Sequence, residues 1–126
     1  KFDEIHSLRR SNKERIQKAL ESIDGVRVVN ERPEAETSWF GVPIVCEDNN
    51  LKRSLVAYLE ENKIQTRNYF AGNILLHPGY RDLGKASDYP NANQVLDKVF
   101  FLGCSPTIHE KMLQYIEKVI GNYVSN

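Results

Sequence analysis

Between residues 71 and 94 the chain carries Gly72, Pro78, Gly79, Gly84 and Pro90, with no sustained periodicity beyond a short helical candidate at 74–76. A connection this long inside a compact domain is either a functional loop or a disordered one. Its surroundings separate the two, because Tyr69, Phe70, Tyr80 and Tyr89 cluster there with His77, and disordered segments are poor in aromatic residues. The chain is expected to fold around a working loop.

Regular elements flank that loop. Phe2, Ile5, Leu8, Ile16, Leu20 and Ile23 recur at helical spacing through residues 1–24, and Asp24-Gly25 supplies a stop. From Arg9 to Arg15 nearly every residue is polar, so this stretch lacks an apolar face and is expected to meet a body outside these residues. Val26–Val29 reads as a short strand. Trp39 to Cys46 is aromatic and β-branched, and Pro43, which cannot donate to a ladder, places it at a sheet edge or a bulge. A helix from Leu51 to about Asn62, capped by Asn50, buries Leu51, Leu55, Val56 and Leu59. Ile64–Phe70 is the next strand. Beyond the loop come a short helix near residues 93–98, a strand over Val99–Gly103, and a helix behind Thr107-Ile-His-Glu110, which has capping-box spacing. Met112, Ile116, Val119, Ile120 and Tyr123 form that helix's apolar face. The order α-β-β-α-β-loop-β-α predicts an α+β fold, a small and mostly antiparallel sheet flanked by helices.

Composition narrows the function classes. At 126 residues the chain is one domain, and its 17 basic residues balance 17 acidic ones, without the basic excess of a nucleic-acid binder. No apolar run reaches the length of a membrane span, and the charged start Lys1-Phe-Asp-Glu is unlike a signal peptide. Cys46 and Cys104 lie far apart in apolar runs, which reads as buried thiols in a reducing, cytoplasmic compartment rather than a disulfide or metal pair. His6 and His109 read as solvated residues at helix ends. Without a nucleophile elbow, a phosphate loop or a Cys–His pairing, no catalytic group and no metal is expected here.

The segment Ile64-Gln-Thr-Arg-Asn-Tyr-Phe-Ala-Gly-Asn-Ile-Leu-Leu-His-Pro-Gly-Tyr80 offers binding chemistry instead. Strand alternation puts Gln65, Arg67 and Tyr69 on one face, so a guanidinium and a ring share one space, suited to an anionic, ring-bearing ligand. Gly72 permits close backbone approach, Asn73 offers a donor and an acceptor, and His77 beside Pro78 is a further contact candidate. Without a ligand, the same residues are an ordinary strand end with an exposed arginine.

Ser38-Trp-Phe-Gly-Val-Pro-Ile44, Leu59-Glu-Glu-Asn-Lys-Ile-Gln-Thr-Arg67 and Phe70-Ala-Gly-Asn-Ile-Leu-Leu-His-Pro-Gly-Tyr80 resemble the C-terminal small domain of DegT-type sugar aminotransferases. The tail from Val99 to Leu113 is similar to that family's final strand and helix. The Trp-Phe-Gly-x-Pro-Ile and Phe-x-Gly-Asn signatures look most like the lipopolysaccharide-biosynthesis CDP-4-keto-6-deoxyglucose 3-dehydrases, whereas ordinary aminotransferase members tend to carry a Pro-Leu-His element in the loop. The resemblance implies a domain of a fold-type I enzyme that uses pyridoxal or pyridoxamine 5′-phosphate and acts on a nucleotide-sugar as a homodimer. Residues 1–24 would be the linker helix from a large domain and 25–126 the small domain. The cofactor, and the position that is a lysine in aminotransferases and a histidine in the dehydrases, would belong to the large domain, leaving these residues inactive alone. Arg67, Tyr69, Phe70 and Asn73 would line the sugar-facing side, with Tyr69 where many members have histidine. An aminotransferase drawing its amine from glutamate, and a free-standing α+β ligand-binding module, are the alternative readings.

Overall fold

The computed structural model describes residues 1–125. The elements are α1 (Phe2–Leu20), β1 (Val26–Val28), β2 (Gly41–Cys46), α2 (Asn49–Glu61), β3 (Thr66–Asn68), α3 (Pro90–Lys98), β4 (Val99–Gly103) and α4 (Glu110–Val124). Three 3-10 turns, at Ile74–Leu76, Pro78–Leu83 and Ala86–Asp88, organise the loop between β3 and α3. The strands form one fully antiparallel sheet in the order β1-β2-β4-β3. The expected α+β architecture is the one observed.

One face of the sheet is the core. Val28, Val42, Ile44, Cys46, Phe100 and Leu102 point into it and meet Ile16 and Leu20 of α1, Leu55 and Leu59 of α2, and Leu113, Val119 and Ile120 of α4. Both cysteines are free and buried, as their apolar runs implied. Alternation sends the intervening residues to the opposite face. There the register aligns Arg27 with Val45 and Val99 in one row, and Pro43 with Phe101 and Arg67 in the next.

Pro43 is neither at an edge nor in a bulge, since β2 is an interior strand in unbroken register with β4. The geometry explains why it is tolerated. Val29 N–H donates to Pro43 O (3.0 Å), so the missing proline donor faces β1 just past that strand's last ladder residue. The β2–β4 ladder loses nothing.

The polar stretch of α1 also departs from expectation, because it finds its partners within this chain. Asn12 and Lys13 are buried. Asn12 Nδ2 donates to Ser105 O (2.8 Å), and Lys13 Nζ donates to Asn30 Oδ1 (2.9 Å) while lying 4.8 Å from the centre of the Trp39 ring. Arg10 forks onto Glu31 (2.6 and 2.9 Å), and Arg15 reaches Glu110 and Glu117 of α4. Hydrogen-bonded charge thus replaces an apolar stripe along this interface. Phe2, Ile5 and Leu8, one to two turns earlier, remain exposed. His6 is not a freely solvated group either, since it stacks on Phe2 and its Nε2 lies 3.2 Å from Glu36 Oε1.

Boundaries shift for local reasons. α1 ends at Leu20 rather than Asp24, and Ser22 Oγ closes its last turn on Ala19 O (2.7 Å). Asp48, not Asn50, caps α2 by accepting from Leu51 N–H (2.8 Å). α3 starts at Pro90, a proline at the first helical position, where its missing N–H costs no bond. The Thr107–Glu110 capping box does not form, because Glu110 turns to Arg15 and the Thr107 hydroxyl pairs with Ser105 Oγ (2.8 Å). Leu113, rather than Met112, faces the core from the first turn of α4.

Candidate functional site

On the sheet face opposite the helices, Phe101 is the centre of an aromatic platform. Phe40 lies 5.1 Å from it, Tyr69 6.2 Å edge-on and Phe70 6.3 Å, with Phe70 also stacked on Phe40 at 6.3 Å. Gly41 makes the arrangement feasible, since a Cβ there would come within 2.6 Å of the Phe101 ring. Phe40 is 60% and Phe70 70% exposed, while Phe101 is 9% exposed. The outer rings are therefore available to a ligand, with Phe101 as their support.

β3 ends at Asn68, and Phe70 N–H folds back onto Asn68 O (2.8 Å). Phe70 takes φ +52°, a left-handed conformation costing a non-glycine residue about 1 kcal/mol. That turn lifts Tyr69 and Phe70 off the strand and lays them over the platform. Arg67 is the cross-strand partner of Phe101, is exposed, and forms no side-chain hydrogen bond among the described residues. The structure thus brings Arg67, Tyr69 and Phe70 around one ring. Phe40, Gly41 and Phe101 complete the group and were not legible as site residues, because only the strand register shows that they meet.

Gly72 and Asn73 face elsewhere. Gly72 has φ +61°, and its missing Cβ leaves the space that Leu96 of α3 fills. Asn73 is 2% exposed. Its Nδ2 donates to Ala86 O (3.1 Å) and Asn93 Oδ1 (2.7 Å), and its Oδ1 accepts from Leu75 N–H (3.1 Å). The donor and acceptor that the sequence offered are engaged in tying the 3-10 turns to α3. His77 is exposed at the junction of two turns, its Nε2 3.4 Å from Ala71 O.

Beside the platform a cleft of about 340 Å³ runs between the sheet and α3, with Tyr69 on its wall. A larger cavity of about 650 Å³ lies against α1, near Arg10, Lys13, Glu31 and Trp39. Arg10 is bonded there to Glu31, and Lys13 to Gln17 and Asn30, so these two cations are already engaged.

The DegT/DnrJ/EryC1/StrS aminotransferase family model matches residues 1–120. The chain belongs to that family. The dTDP-4-dehydro-2,6-dideoxy-D-glucose 3-dehydratase of Saccharopolyspora spinosa is 30% identical over 129 residues, covering 99% of this chain and 28% of that protein. The lipopolysaccharide biosynthesis protein RfbH of Salmonella typhimurium is 30% identical over 124 residues, covering 92% of this chain and 28% of its own length. The chain therefore spans just over a quarter of these relatives. Among solved structures, the E. coli GDP-4-keto-6-deoxy-D-mannose-3-dehydratase with bound hydrated PLP shares the fold with a TM-score of 0.74 at 22% identity, over 94% of this chain and 31% of that one. Sugar aminotransferases share it as well.

Among the described residues both buried lysines are already hydrogen-bonded, Lys13 Nζ to Gln17 and Asn30, and Lys52 Nζ to Leu96 O (2.6 Å), so neither of these two is a free amine for the cofactor's aldehyde.

Proposed function

We propose that this chain is the C-terminal small domain of a PLP-dependent nucleotide-sugar 3-dehydratase, most similar in role to the enzyme that removes the C3 hydroxyl of CDP-4-keto-6-deoxyglucose. Residues 1–24 serve as its linker helix and 25–126 as the small domain, in a cytoplasmic homodimer. The cofactor, as pyridoxal or pyridoxamine 5′-phosphate, is held by the rest of the enzyme, and the elimination belongs there. This chain contributes a wall of the substrate site.

The observation that carries the reading is the aromatic platform with Arg67 at its side, on the sheet face that α1, α2 and α4 leave uncovered, in a family whose curated relatives include a sugar 3-dehydratase. Apolar sugar faces pack well on aromatic rings, and a guanidinium supplies forked bonds to oxyanions. Arg67, Tyr69 and Phe70 contact the sugar nucleotide directly and His77 does so from the exposed rim of the loop. Gly72 and Asn73 act through the loop's shape. Once substrate is seated, the loop keeps water from the reacting carbon.

The test is product analysis on the whole enzyme with CDP-4-keto-6-deoxyglucose. The reading expects loss of the C3 hydroxyl; transfer of an amine from glutamate to the sugar, with C3 intact, overturns it. Sugar aminotransfer is the second reading, favoured by the aminotransferases that share the fold.

A further inference from the structure

The loop that begins at the platform leans on α3, and α3 is itself pinned from behind. This helix runs straight into β4, its last residue followed by Val99 in extended conformation. A helix ends with carbonyls that lack partners within it. Val99 N–H closes on Val95 O, and the next two carbonyls are met from α2: Lys52 Nζ donates to Leu96 O (2.6 Å) and Asn49 Nδ2 to Asp97 O (3.0 Å). Lys52 is 7% exposed and forms no ion pair among the described residues. Burying an ammonium is costly unless it is bonded. Here the charge is placed on one carbonyl, at the helix end where a cation is most favourable.

That carbonyl belongs to the residue that carries the loop. A Cβ on Gly72 would come within 2.5 Å of Leu96 Cβ and 2.9 Å of Leu96 Cα, so Leu96 is the wall on which Gly72 rests. Gly72 in turn closes the turn that displays the rings, its N–H donating to Tyr69 O (3.3 Å) across Phe70. Phe70 sits there at φ +52°, a conformation that a non-glycine residue keeps only where its surroundings over-determine it. Lys52, Leu96, Gly72 and Tyr69 therefore form one line of direct contacts. It starts on α2, on the helix-covered side, rounds the end of the sheet where Val45 pairs with Val99, and reaches the platform.

We propose that Lys52 is a positioning residue for the aromatic platform: by pinning Leu96 under Gly72 it holds the Tyr69-Phe70 turn, and through it the grip on the sugar, from the other side of the sheet. The inference rests on the nucleotide-sugar reading and adds a residue outside the binding face. Asn49 supplies the internal control. It caps the same helix end, but on Asp97 O, whose residue is not among the nearest neighbours of Gly72.

The experiment compares the whole enzyme with its Lys52→Met, Asn49→Ala and Phe70→Ala variants, by hydrogen exchange and by the dissociation constant of CDP-4-keto-6-deoxyglucose. Methionine keeps the length of the lysine stem and removes the donor. Exchange over residues 69–77 should speed up about tenfold in Lys52→Met, with β2 and β4 unchanged, and Asn49→Ala should leave that segment as it was. The dissociation constant should rise about tenfold in Lys52→Met, and no further when Lys52→Met is added to Phe70→Ala, because both act through one turn. Should the methionine variant not fold, Lys52→Arg, which keeps a cation but not its reach, should loosen the same segment. An unmoved segment overturns the proposal, as does equal loosening of the strands or an equal effect of Asn49→Ala. Binding weakened by Phe70→Ala but not by Lys52→Met overturns the positioning role alone. Binding indifferent to Phe70→Ala overturns the nucleotide-sugar reading together with it.

Discussion

Gly72→Ala places a methyl group where the structure has none to spare. The new Cβ would lie 2.5 Å from Leu96 Cβ and 2.9 Å from Leu96 Cα, at a residue whose φ is +61°. Left-handed backbone costs an alanine about 1 kcal/mol. Forcing a methyl into packed atoms costs about 2 kcal/mol more. The obstructing atoms belong to the backbone of α3 and the root of its side chain, so no rotamer change relieves them. A loss near 3 kcal/mol corresponds to a urea midpoint about 1.5 M lower for a chain of this size, followed by far-ultraviolet circular dichroism. The same geometry predicts that Leu96→Ala does not rescue the variant, because Cα and Cβ persist. A midpoint shift below about 0.3 M, or recovery in the double variant, would refute the packing argument.

Two further predictions concern titrating groups. The Arg10 guanidinium, assisted by Thr37 N–H, holds the Glu31 carboxyl down to about 2. Because the unfolded chain takes up that proton first, the pair's stabilisation is complete above the ordinary carboxylate range and is lost as pH falls towards 2. Glu31→Gln should flatten this acid limb of an unfolding-versus-pH curve, and an unchanged limb would count against the pair. Burial pushes both thiols, Cys46 and Cys104, up to about 11. A disulfide-forming thiol reagent at pH 8 should therefore modify them at the rate of unfolding; rapid reaction of the native chain would show that the core is open.

Much of the fold was legible, and the failures have physical causes. β4 and the core stripe of α2 stand out in the sequence because their apolar residues carry the right period, and the register then follows from packing one face. The sequence alone misplaces Pro43, because a strand's tolerance for proline depends on which neighbour its nitrogen faces, and that neighbour ends at Val28. The polar run in α1 reads in sequence as a surface awaiting an absent body because periodicity weighs only apolar contacts. It does not register Arg15 reaching Glu117 across 102 residues. The same limit governs the site. Arg67 and Tyr69 were found because they alternate on one strand, whereas Phe40 and Phe101 arrive from two other segments. Asn73 looked like a ligand contact because an asparagine in a loop carries free hydrogen-bonding groups until its partners are known. Those partners, Ala86 and Asn93, lie 13 and 20 residues away.

In the proposed role, Arg67 on the exposed sheet face grips the nucleotide-sugar. The direct measurement is the dissociation constant of that ligand for the whole enzyme and its Arg67→Ala variant. Loss of a charge-assisted bond of roughly 1.5–3 kcal/mol predicts weakening by one to two orders of magnitude. An unchanged dissociation constant would contradict the claim and remove Arg67 from the site.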